Sequence, residues 1–145
     1  MSLSKIDPDT NLREWLEGQI TISVSDTEVR NVAVYAQAER PNLNLPEEFV
    51  EILYNGNMRP ITKPFKLWMG NLAITIYCKS QSNGTAKSKR VKSILSQLEE
   101  LVSDKLIGKY FYKLDVSNVI TPLQVNTTNG YSTMTLGVEW RTEKE

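Results

Sequence analysis

The sequence contains no histidine. That absence removes the Ser-His-Asp and Cys-His nucleophile systems, histidine-ligated metals and the side chain that most often moves protons near neutral pH. A single cysteine, Cys78, excludes an internal disulfide and a cysteine-based zinc site. Net charge is lacking as well. The 17 basic residues balance the 17 acidic ones, so neither a generic polyanion binder nor an acidic solvating tail is implied. No apolar run approaches the ~18 residues of a membrane span, and the first residues are too polar for a signal-peptide core. The expectation is a soluble cytoplasmic chain, in which the sequons at Asn83 and Asn126 are loop residues. At 145 residues the chain has the length of one domain, 1–145, with a single core.

What is present is mostly alternation. Asp7-Pro8 has the form of a helix cap and first helical residue, and Leu12, Trp15 and Leu16 continue at helical spacing, predicting a short helix over 8–17. Ile20, Ile22 and Val24 alternate with polar residues, as do Val32, Val34 and Ala36, with Asp26-Thr27 placed to turn a hairpin between them. Residues 39–46 hold two prolines and two asparagines and read as a loop before a strand from Phe49 to Tyr54, which Asn55-Gly56 ends in a turn. Leu72, Ile74, Ile76 and Cys78 face one way and Ala73, Thr75, Tyr77 and Lys79 the other, the pattern of a central strand. Val91, Ile94, Leu95, Leu98 and Val102 form one stripe on a helix over 86–105, with Gly108 at its C-terminal end. Tyr110 to Leu114, Val119 to Val125 and Met134 to Trp140 are strands, the last two joined at Asn129-Gly130, a strong hairpin signal. The predicted class is α+β: a mainly antiparallel sheet packed against one long amphipathic helix and a short N-terminal helix.

Candidate chemistry is sparse. The stretch from Gln81 to Ser88 imitates a phosphate-binding loop, but Gln81 and Ala86 stand where glycines must let the backbone curl around phosphate. Glu47-Glu48 and Glu99-Glu100 are adjacent acidic pairs whose members point apart, which reads as solvated surface. Ser2-Leu3-Ser4-Lys5 has nucleophile spacing in a terminus with nothing to hold it rigid. Cys78 lies on the apolar face of the cleanest strand, as an inert buried thiol. No cofactor, metal or small-molecule substrate is expected.

Three features point to association instead. Lys79, Lys87, Lys89, Arg90 and Lys92 form a basic cluster, four of them in the first two helical turns, where the macrodipole disfavours cations by ~0.3–1 kcal/mol each. An anionic partner would relieve this, and so would screening by salt. Residues 1–60 carry ten acids and five bases, while 61–145 hold the opposite excess. That division suits head-to-tail contacts between copies and equally an internal match. Finally, a projecting loop over about 55–71 carries Met58, Ile61, Phe65, Leu67, Trp68 and Met69, either as a subunit interface or in part as an extra strand over the core.

In this order of elements, with Leu45-Pro46-Glu47-Glu48-Phe49 opening a strand and Gly70-Asn71-Leu72-Ala73-Ile74-Thr75-Ile76-Tyr77 as the central one, the chain resembles the tail terminator or minor capsid (head–tail joining) proteins of long-tailed bacteriophages. The resemblance implies a non-enzymatic virion protein that forms a ring, commonly a hexamer, and meets the tail tube and the head connector. It would be made in the host cytoplasm and end in the tail or neck. It transfers no residue roles. The interface expected from the residues themselves is Met58, Ile61, Phe65, Leu67, Trp68 and Met69 with Lys87, Lys89, Arg90 and Lys92. The alternative is an accessory domain that binds nucleic acid through the basic start of the 86–105 helix, with Tyr77, Tyr110 and Tyr112 as stacking surfaces.

Overall fold

The computed structural model describes residues 6–61 and 67–143, and all their side chains except those of 55–57 and 116–118. Pro8 opens α1 (Pro8–Leu16), which buries Pro8, Leu12 and Leu16, and Gly18, at φ +77°, releases the chain from it. β1 (Thr21–Ser23) and β2 (Val29–Asn31) form a hairpin across Asp26-Thr27 as a small sheet of their own, but its second strand is not the expected Val32–Ala36 segment, which goes to the main sheet. After Val32 the chain passes into the main sheet.

That sheet has six strands in the order β3 (Ala33–Tyr35), β4 (Glu48–Pro60), β5 (Trp68–Lys79), β8 (Tyr131–Thr142), β7 (Tyr110–Asn126) and β6 (Lys105–Ile107). Its pairings are antiparallel except β3 with β4. A parallel neighbour requires the chain to return along the strand's length, and residues 36–47, which contain the 39–46 stretch read as a loop, make that return. β5 is the central strand the alternation predicted: Leu72, Ile74, Ile76 and Cys78 are buried, and it is paired on both sides. α2 (Ser88–Val102) follows it and buries Val91, Ile94, Leu98 and Val102.

The α+β class is overturned. The chain is mostly β, with two short helices and a large curled mixed sheet, and there is no single long helix on which a sheet packs. The curl is visible in α1, which touches β3 and β4 at one edge and β6 at the other. Both helices sit on the concave side with the core, against Val50, Ile52, Leu136, Val138, Tyr112 and Trp140.

Three local readings account for the difference. The helix expected over 86–105 is shorter because Lys87 (φ −83°, ψ 69°) lies outside it and Asp104, at φ +51°, reverses the chain into β6. Gly108 therefore serves the β6–β7 turn instead of the helix end. Asn55-Gly56 does not turn the chain. β4 runs on to Pro60, and between the pairs Tyr54–Leu72 and Met58–Gly70 it carries four residue steps against two. Similarly, the two segments read as separate strands between 110 and 125 are one strand, β7, bulged at three points so that its surplus residues leave the ladder while pairing with β8 continues.

Candidate functional site

The segment read as a projecting loop is the far end of the β4–β5 hairpin. Met58 to Pro60 pair with Trp68 to Gly70, and the Ile61 amide donates to the Leu67 carbonyl at 2.9 Å. Met58 and Trp68 are half-buried and pack against the margin of the core. The Trp68 amide donates to the Thr142 hydroxyl at 2.8 Å, which ties the hairpin to β8. Leu67 and Met69 are half-buried, and Ile61 is 42% exposed. Phe65 lies outside the described residues. The segment is thus strand rather than projecting loop up to Pro60 and from Trp68, and Ile61 beyond it is exposed to solvent.

The basic cluster is divided by the structure. Arg90 turns to the carboxylate of Glu48, whose other oxygen receives Arg30 from β2. Glu48 is a buried residue facing the concave side, opposite Cys78, and its side chain is only 1% exposed. Glu47 lies next to it, and its carboxyl is held below the ordinary range first by the hydrogen bond from Arg30 and then by the charge of Lys87. The two glutamates expected on a solvated face thus answer the cations at the start of α2 from inside the same chain. Lys89 and Lys92 stay exposed and have no ion-pair partner among the described residues.

The hairpin end and the start of α2 do not form one site. Trp68 marks one end of β5 and Cys78, beside Glu48, marks the other, roughly 30 Å of extended chain away.

Of the three tyrosines of the nucleic-acid reading, two are buried and Tyr77 is half-buried. Tyr110 is 2% exposed and Tyr112 fully buried, with the Tyr112 hydroxyl donating to the Pro8 carbonyl and lying 2.9 Å from the Asn11 side-chain oxygen. Burial raises both phenols above their ordinary value. Tyr77 lies face to face with Phe49, ring centroids 4.4 Å apart. With Tyr131 it belongs to an aromatic cluster on the convex side, roofed by the β3–β4 loop: the Arg40 guanidinium stands 5.4 Å from the Tyr77 ring and 3.6 Å from Glu51, and the Tyr131 hydroxyl donates to the Pro46 carbonyl at 2.7 Å. This cluster escaped the sequence reading because its members lie more than 20 positions apart. Its signal was Tyr77 on the face of β5 opposite the apolar stripe, with Phe49 opening β4.

Cys78 is buried, and desolvation pushes its thiol up to about 12, as expected of an inert residue. Among the described residues no group of acidic or cysteine side chains could hold a metal ion, and no helix is long and apolar enough to cross a membrane. No protein-family model and no curated protein matches the chain.

Proposed function

We propose that this chain is a non-enzymatic structural subunit that associates with copies of itself into a ring at the head–tail junction of a long-tailed bacteriophage, as a tail terminator or minor capsid protein does. The observation that carries the reading is the end of the β4–β5 hairpin. Ile61, Leu67 and Met69 remain partly or largely accessible at a hydrogen-bonded strand end on the margin of the core. Large apolar side chains on a stiff element lose little conformational freedom when a neighbour covers them, which favours association. The tail tube and the head connector are the partners implied by the resemblance, and α2's exposed Lys89 and Lys92, at the other end of β5, would serve a second contact.

The test is sedimentation velocity over a wide concentration range, with electron microscopy of the concentrated sample. Assembly into closed rings is expected, weakened about tenfold or more by Ile61→Asp, which buries a carboxylate in the contact. A monomer at every concentration, with no rings on the grid, would defeat the reading. Salt-dependent retention on DNA, lost on Lys89→Glu with Lys92→Glu, would favour the nucleic-acid alternative instead.

A further inference from the structure

Strand register places one row of side chains across the convex face: Arg59 opposite Met69, Met69 opposite Arg141, Arg141 opposite Phe111, and Phe111 opposite Leu106. The row runs over five strands, from β4 to β6. Leu106 is 58% exposed, Arg59 and Arg141 are exposed, and the Arg141 guanidinium stacks on the Phe111 ring at 4.7 Å. Arg141 is held by Glu143 of the same chain at 2.6 Å, whereas Arg59 makes no ion pair among the described residues and with Met69, Asn71 and Glu139 lines a concavity of about 280 Å³ beside the row. Arginine, methionine and phenylalanine are the residues that interface cores favour, and neither helix covers them here.

The complementary surface is on the other side of the sheet. On α1, Glu14 and Glu17 are exposed, and together with Glu39 they converge on the single guanidinium of Arg13 at 3.7, 3.2 and 3.3 Å, an excess of two negative charges. Between them Trp15 leaves 39% of its surface open. Five strands span roughly 19 Å and nine helical residues about 14 Å, so α1 fits along the row.

We propose that the convex row Arg59–Met69–Arg141–Phe111–Leu106 is the docking surface for the α1 face of a second copy of this chain. α1 lies on the concave side and the row on the convex side, so the two cannot meet within one molecule. The contact between copies is then heterologous, and repetition gives a ring when the rotation closes. The unpaired charge of Arg59, set against the acidic excess on α1, also favours the head-to-tail arrangement over row against row. This inference rests on the self-association proposed above and adds the surfaces that make the contact.

The experiment uses two charge-reversed chains, one carrying Arg59→Glu with Arg141→Glu and the other Glu14→Arg with Glu17→Arg, compared with the unaltered protein by sedimentation velocity. All four positions are at or near the surface, and near-UV circular dichroism checks that each variant is folded. Each variant alone should associate at least about tenfold more weakly, because like charges now face each other, and an equimolar mixture should recover assembly, since each chain then presents the charge the other lacks. If the unaltered chain assembles and either variant assembles equally well, or if the mixture stays as weak as its parts, the assigned surfaces are wrong while self-association stands. If the unaltered chain never assembles, both proposals fall.

Discussion

Glu48 shows how far one residue's role depends on where the strand carries it. In the sequence it is half of an acidic pair before an apolar run. In the molecule it is a buried carboxylate holding Arg30 of the small β1–β2 sheet and Arg90 of α2. A buried carboxylate is tolerated only when charged donors take up its lone pairs, and removing it strips two such bonds from arginines that are themselves partly solvated. Glu48→Ala should therefore lower the unfolding free energy by about 2–3 kcal/mol in urea titrations. Glu47→Ala, on the exposed neighbour, should cost less than about 1 kcal/mol. Equal losses for the two would mean that burial of Glu48 does not set its contribution.

At the scale of elements, α2 is held by its stripe and not by its ends. Its N-cap Lys87 makes no capping hydrogen bond, and its first turn has no acidic residue. Lys87→Asp supplies both a cap and a favourable charge and should stabilise the fold by about 1 kcal/mol in thermal or urea unfolding. An unchanged or lowered stability would show that Lys87 contributes more through its charge on Glu47 than it costs at the helix end. Likewise, the β4–β5 hairpin runs past the point where Asn55-Gly56 signalled a turn, because hydrogen bonding to β5 resumes at Met58 once the bulge has absorbed the surplus residues. Local turn chemistry lost to the cooperative ladder on both sides of it.

The whole molecule is a curled sheet closed over two short helices, and its core contains groups that ionise only at high pH. Cys78 is pushed up to about 12 by burial, and Tyr110 and Tyr112 are raised by the same cause. In the unfolded chain the thiol loses its proton near its ordinary value of 9.0, whereas the folded chain keeps it. Between these values the native state binds more protons, so stability is fully present below pH 9 and falls as pH rises towards 12. Unfolding free energy measured from pH 7 to 11 should decline above pH 9, and Cys78→Ala should flatten part of that decline. In the native protein Cys78 should resist iodoacetamide at pH 8 and react once the chain is unfolded. Rapid native alkylation would mean that the sheet opens at β5 far more often than a paired central strand should.

Periodicity by itself determined where the buried stripe of each element lies: Leu12 and Leu16 on α1, Leu72 to Cys78 on β5, Val91 to Val102 on α2, and the β7–β8 hairpin at Asn129-Gly130. These follow from which side chains avoid water, a property each short segment carries with it. Only the tertiary structure decided that the sheet is mixed and curled, that Glu48 answers the cations of α2, and that Arg59, Met69, Arg141, Phe111 and Leu106 stand in one row. Those relations depend on strand order, register and bulges. A bulge of one residue moves every later side chain to the other face, so they belong to the paired sheet and to none of its strands alone.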